Sequence, residues 1–245
     1  MTRLREDAAS ALKRKAFIGM QSGQANRFLS KQAVCDGCAF MLLTEVPFAQ
    51  KVWALPFMTV LCPSERYDEE RGIRHRKLTR RARQAILLIK RWLPKLDLVF
   101  VGDSSYAVLD LLNAVRDKVT VVSKLRLDAA FYRKAKARRK GQLGRGRSKG
   151  NRLPTLQAVI ANPKTKWKTV SIKNWYREPN QKIEISSGKC VWYDVGKEAV
   201  SICRVMVRDF LGKFETQALL STKIDASPKR FGKRIVFPIF GKRIK

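Results

Sequence analysis

From Leu78 the apolar positions 78, 82, 86, 89 and 93 recur at helical spacing with Arg and Lys on the other face, and Pro94 ends the run. This predicts an amphipathic helix. The pattern then changes. Leu96 to Gly102 is apolar throughout except for Asp97, the signature of a central strand covered on both faces. Ser104 or Ser105 can cap a helix over Tyr106 to Val115 by offering a hydroxyl to orphan N–H groups, and VTVVSKL at 119–125 supplies the next strand. Strand, helix, strand in this order is the parallel crossover of an α/β sheet.

On the N-terminal side, VWALPFMTVL at 52–61 favours a strand, with Pro56 pointing to an edge position or a bulge. The charged CPSERYDEERGIRHRK that follows predicts a loop, and residues 1–45 read as irregular. After Pro154 the chain breaks into short alternating segments, TVSIKNWY, KIEISSG, KCVWYDV, VSICRVMVRD and FETQALLST, which predict a small antiparallel sheet. The pentapeptide FGKRI occurs at 231–235 and again at 240–244. Two copies do not make a solenoid.

The charge balance narrows the partner. Against 20 Asp+Glu stand 52 Lys+Arg, a formal net charge of +32, and self-repulsion of that size implies a polyanion, with nucleic acid the first candidate. No stretch approaches the roughly 18 apolar residues needed to span a bilayer, and MTRLREDAASALKRK lacks the apolar segment of a signal peptide. Five cysteines spread over 245 residues do not read as a disulfide framework. These features place the chain inside the cell. Cys35-x-x-Cys38 is half of a zinc pattern with no second pair among Cys62, Cys190, Cys203 and His75.

Residues 133–152, RKAKARRKGQLGRGRSKGNR, carry ten Lys or Arg, four Gly and no acid. They bury no apolar area and predict a loop or linker. Arg133, Lys134, Lys136, Arg138, Arg139, Lys140, Arg145, Arg147 and Lys149 are the candidate DNA contacts, since such a segment releases counterions on binding phosphates. Trp167, Trp175, Tyr176, Trp192 and Tyr193 lie among basic residues and either stack on bases or form the core of the small sheet.

Asp103 closes the apolar strand, where α/β sheets collect catalytic groups. Position alone favours a carboxylate that caps the next helix, and Asp97 and Asp110 read as solvated. A serine hydrolase built on GDSS would need a histidine base, and the only one, His75, lies in a charged loop. The turn also lacks the G-x-G-x-x-G of a dinucleotide site.

VWALPFMTVLCPSERYDEERGIRHRKLTRRARQAILLIKRWLP, LVFVGDSSYAVLDLL, VTVVSKLRLDAAFY and RVMVRDFLGKFETQALLST, in this order, resemble the DDE transposases of bacterial insertion sequences. The resemblance covers much of residues 46–222. It implies an α/β fold: a ribonuclease-H-like mixed sheet core with a β-rich insertion. The family's chemistry gathers three acids to hold two Mg²⁺ or Mn²⁺ ions, which stabilise the attacking and leaving oxygens of an in-line phosphodiester displacement. The resemblance carries the second of those acids onto Asp103, as catalytic residue and metal ligand.

The family's first Asp precedes a basic run. Matching that run to KRK at 13–15 puts the acid at or before Met1, with Asp7 as the fallback. The family's Glu belongs on a helix after the insertion, where the match fades beyond LLSTKIDASP; Glu215 lies inside the insertion. The expectation is a transposase shortened at both ends that does not cut or join DNA. The implied partner is DNA at transposon ends, with no membrane, a homo-oligomer allowed, and a location in the bacterial cytoplasm at the nucleoid. The expected organisation is a core over 1–130, incomplete at its N-terminus, a basic linker over 131–155, the β-rich insertion over 156–226 and a basic tail over 227–245. The alternative function is a non-enzymatic basic nucleic-acid-binding protein.

Overall fold

The strand containing Pro56 is β3 (Lys51–Pro63), and it pairs antiparallel with β2 (Cys35–Val46), which pairs antiparallel with β1 (Lys15–Gln24). The computed structural model describes residues 15–24, 35–46, 51–137, 141, 143–175, 178–209 and 215–224. They fall into two compact units, Met1–Val101 with Val115–Thr120, and Gly102–Ala114 with Val121–Lys245. The repeated FGKRI, Asp7 and the 227–245 tail lie outside the described residues.

In the first unit β4 (Asp97–Gly102) runs parallel to β1, with Lys15 opposite Asp97 and Gly19 opposite Val101. The strand order is therefore β3-β2-β1-β4, three antiparallel strands and one parallel neighbour. A parallel neighbour requires a crossover, and α1 (Glu65–Glu70) and α2 (Leu78–Trp92) supply it. The predicted stripe of α2 is what packs inward, with Ala82, Ala85, Ile86 and Ile89 buried. Its C-terminus is closed by Lys90, whose ammonium donates to the carbonyls of Pro94 at 3.1 Å and Leu96 at 2.7 Å, a favourable place for a cation. Phe40 and Phe100 meet in the core with ring centroids 6.5 Å apart. Pro56 sits on the terminal strand of this order, beside a register shift in which Phe40 faces Met58 while Met41 faces Pro56. Both expectations for that proline hold.

The second unit contains the turn after β4, α3 (Leu109–Val115, ending at the unit boundary) and an antiparallel sheet. Its strands are β5 (Thr120–Leu125), β10 (Gln217–Ser221), β9 (Val200–Asp209) and β8 (Glu178–Trp192), in that spatial order. Along its free side β8 pairs first with β7 (Lys168–Trp175) and then with β6 (Phe131–Tyr132). A short helix, α4 (Leu156–Ala161), is capped by Thr155 and plugs the fully buried Leu156 into the core. The centre is β9 and β10, where Val205, Met206, Val207, Ala218, Leu219 and Leu220 are all buried. The α/β mixed sheet of ribonuclease-H-like type is thus observed, and no helix among the described residues is long and apolar enough to cross a membrane.

The structure departs from the sequence reading in four places. Residues 15–24 and 35–46, read as irregular, are strands, because the ladders of β3 and β4 satisfy their backbones where local composition argues for none. The charged loop contains α1, whose start is fixed by the Ser64 hydroxyl accepting from the Tyr67 N–H at 3.3 Å. KIEISSG and KCVWYDV, read as separate segments, join in β8, because Gly188 lies in the ladder facing Arg204. The helix read over Tyr106–Val115 is a 3₁₀ turn (Ser104–Tyr106) followed by α3, and the capping group is Asp103 rather than Ser104 or Ser105.

Candidate nucleic-acid interface and strand-end acid

Asp103 is the first residue past β4 and keeps extended backbone, φ −75° and ψ −173°. Two bonds set its place. Its Oδ1 accepts from the Ser105 N–H at 2.8 Å, and its carbonyl accepts from the hydroxyl of the fully buried Ser123 on β5. Tyr106, also fully buried, anchors the far end of the turn. The carboxyl group is thus held at a strand end, the position sequence reasoning gave it, while doing the work of a cap.

The neighbouring acids are occupied elsewhere. Asp97 opens β4 exposed. Asp110 receives Lys197 at 3.1 Å, and Lys197 lies 3.8 Å from Asp194, so α3 is tied to the loop between β8 and β9. Glu184 accepts from Arg208 at 2.6 Å, with the Arg208 guanidinium 4.1 Å over the Trp167 ring. Asp128 takes two bonds from Arg126, 3.0 and 2.6 Å, and that hydrogen-bonded guanidinium holds its carboxyl below the usual range. In the first unit, buried Asp68 faces His75 Nδ1 at 2.8 Å. The signal that could have located this pair was the Ser64 cap with acids in the first turn. It fixes a helix that turns Asp68 inward.

The cationic segment has a built base. Leu153 N–H donates to the Phe131 carbonyl, Arg133 N–H to Asn151 and Gly150 N–H to Arg133, each at 2.8 Å, with a bridge between Tyr132 and Arg152. Glycine is required at 150, since a Cβ there would stand 2.9 Å from the Lys134 carbonyl oxygen and 3.0 Å from that of Arg133. Next to it the Lys149 ammonium lies 4.1 Å from the Tyr132 centroid and 4.0 Å from that of Tyr193, a cation held over two negative ring faces. Beneath them Phe131 and Trp192 meet edge to face, 6.0 Å apart. Beside this neck lies an open cleft of about 1060 Å³. Arg133, Lys134, Lys136, Arg145, Arg147 and Lys149 line it, with no acid among the described lining residues. Arg138, Arg139 and Lys140 lie outside the described residues, as does Tyr176, whereas Trp175 ends β7.

Sequence reasoning therefore named the loop's cations but missed its closure. The closing contacts join residues that Gly and charge content alone describe as a tether. Of the aromatic residues left open between stacking and core, Trp167 and Trp192 pack against Arg208 and Phe131. Tyr193 is the one that reaches the loop.

A mixed sheet with an antiparallel meander, a parallel fourth strand and an acid at that strand's carboxyl end defines an α/β protein of the ribonuclease-H-like class. Residues 4–183 match the family described as DDE superfamily endonuclease. That span is most of the chain, and the protein belongs to this family, whose members have nuclease- or transposase-like functions. No curated protein gives a match.

Endonucleases of this superfamily typically use divalent metals, and the described residues do not fit such a centre. Among them no group of three or more His, Cys, Asp or Glu side chains converges. Asp103 Oδ1 is engaged by a backbone N–H. The strand parallel to β4 brings no carboxylate either, since KAFIGMQSGQ contains none. A pair of ions bridging a phosphodiester needs several carboxylate oxygens together. One acid does not supply them.

Proposed function

We propose that this chain is a transposase-type DDE protein that holds DNA through its cationic loop and presents one ancestral metal-binding, catalytic acid, Asp103, without cutting a strand by itself. In this reading residues 1–130 form the core, 131–155 carry the DNA contact, 156–226 are the insertion and 227–245 add a basic tail. The DNA is that of transposon ends, met at the nucleoid, and Mg²⁺ or Mn²⁺ is the ion Asp103 would share with further acids.

The carrying observation is the hydrogen-bonded neck of this segment, beside which six basic residues line one open cleft. Cations gathered on one surface release counterions when they neutralise phosphates, and binding becomes steeply salt-dependent. The second reading, a nucleic-acid-binding protein with no strand chemistry in its design, is favoured by the bond from Ser105 N–H to Asp103, which gives the acid a structural task. The two differ in metal: calcium or manganese binding lost in Asp103→Asn favours the transposase reading.

The test is fluorescence anisotropy of a labelled duplex against salt. Contact with at least six phosphates weakens binding by about 10³-fold between 50 and 200 mM salt, and Asp103→Asn leaves the curve unchanged. Absence of binding at 50 mM salt, or binding indifferent to salt, overturns the proposal.

A further inference from the structure

Resting on the DNA-binding reading above, we infer that the first unit carries a second surface for the DNA backbone, formed by Arg71, Arg74, Arg76, Lys77 and Arg80 where α1 gives way to α2. The sequence sets the charge. From Arg71 to Leu96 there are ten Lys or Arg and no Asp or Glu, and these five, at the start of that stretch, are all exposed. The acids of α1 do not balance them. Asp68 is turned inward to His75, Glu70 is held by Arg66 at 2.9 Å, and Glu65 and Glu69 are the two left exposed.

Local structure fixes where the cations stand. After α1 the Gly72 N–H donates to the Glu69 carbonyl at 3.0 Å and the Ile73 N–H to the Asp68 carbonyl at 2.8 Å, with Gly72 at φ +64°. These two bonds close a helix end through a left-handed glycine. Two residues on, His75 Nδ1 lies 2.8 Å from Asp68 Oδ2, which pins the chain between Arg74 and Arg76. The Arg71 guanidinium lies 4.3 Å over the Tyr67 ring, a favourable seat for a cation. A surface ordered before the ligand arrives loses less freedom on binding.

Folding by itself disfavours cations here. The first turn of a helix is its positive end, where acids are stabilising. In α2 that turn has no acid and no side-chain cap; Lys77 stands at the N-cap, with Arg80 and Arg81 following. A phosphate backbone supplies the negative charge that the chain leaves out, about one per 1.7 Å of duplex. Topology puts this surface at a functional edge. Strands β3 and β4 both run parallel to β1, since β2 is antiparallel to β1 and to β3. Helix α2 returns the chain from the end where β3 finishes to the end where β4 starts. Its N-terminus therefore stands at the end of the sheet where β4 finishes, the end at which α/β sheets gather ligands.

The test is fluorescence anisotropy of the full chain on a labelled duplex across salt, with Arg74→Gln, Arg76→Gln and Arg80→Gln made singly and together. Losing three phosphate contacts lowers the salt slope by about 2.7 and the affinity by about 500-fold at 0.1 M salt, and each single change lowers the slope by about 0.9. The same three positions changed to Lys keep the slope. Lys164→Gln, Lys166→Gln, Lys182→Gln together remove equal charge from exposed positions outside both surfaces, and leave the slope within one contact, about 0.9. Equal losses in the two glutamine triples reduce the effect to net charge and overturn the inference. A Lys triple that loses as much as the Gln triple assigns the arginines a structural role and overturns it too. An unchanged slope in the arginine variants also overturns it, while a slope still lowered by Arg145→Gln, Arg147→Gln leaves the DNA-binding reading of the 133–152 segment intact. If the unaltered chain does not bind the duplex, that reading fails first and takes this inference with it.

Discussion

Gly150→Ala separates the positioning of the loop from its charge. The added methyl meets the Lys134 carbonyl oxygen at 2.9 Å, the Arg133 carbonyl oxygen at 3.0 Å and Arg133 Cβ at 3.2 Å. These neighbours are backbone or fixed directly to it, so relief comes from spreading the neck. Spreading breaks the bonds from Gly150 to Arg133 and from Arg133 to Asn151, each worth about 0.5–1.5 kcal/mol net. A ligand that needs the closed neck must then supply about 1–3 kcal/mol to restore it, which weakens binding by about 5- to 150-fold. No cation is removed, so the number of phosphates neutralised is the same. The assay is anisotropy with the labelled duplex at four or five salt concentrations: log affinity against log salt should shift downward with its slope unchanged. Far-ultraviolet circular dichroism should match the unaltered chain, because β7 to β10 do not pass through the neck. Unchanged affinity would show that the closed neck is irrelevant to binding. A changed slope would show that Gly150 acts through charge placement instead.

Three further outcomes are expected. Asp103→Ala removes the acceptor for Ser105 N–H and should lower stability by about 1 kcal/mol, whereas Asp103→Asn keeps an acceptor and should cost a few tenths; equal urea midpoints for the two variants would contradict the capping role. Leu55, Phe57 and Leu61 are 45%, 45% and 63% exposed on the terminal strand β3, so Leu61→Lys should reduce concentration-dependent sedimentation while changing stability by no more than about 0.5 kcal/mol. Cys190 is buried and its thiol is pushed up to about 12, chiefly by burial; it should stay protonated and resist iodoacetamide at pH 8 until the protein unfolds, and native-state labelling at the rate of a free thiol, read by mass spectrometry, would contradict this.

Much of the second unit, together with α2 and β4, was legible because the pattern there is strong and local. The stripe of α2, the buried run of β4 and the apolar strands β5, β9 and β10 carry their burial in their own side chains. Residues 15–24 and 35–46 carry little of theirs. KAFIGMQSGQ is polar over its second half, and it is a strand because β2 and β4 pair with it from either side. Long-range pairing of that kind leaves no periodic trace. Asp103 was legible as a strand-end acid, but its bond to Ser105 rests on a 3₁₀ turn that Ser-Ser after an acid does not distinguish from an ordinary helix start. The loop's charge was plain in composition, while its closure depends on Phe131, Tyr132, Lys149, Gly150 and Tyr193, which the fold brings together from separate stretches of chain.

We propose that this member of the DDE endonuclease family engages DNA while the described residues around Asp103 hold no complete metal centre. Incubating the full 245-residue chain with supercoiled plasmid and Mn²⁺ under low salt, and resolving the plasmid forms after deproteinisation, tests it directly. The plasmid is expected to be bound and to be recovered fully supercoiled. Nicked or linear plasmid that forms only with Mn²⁺ and disappears in Asp103→Ala would contradict it.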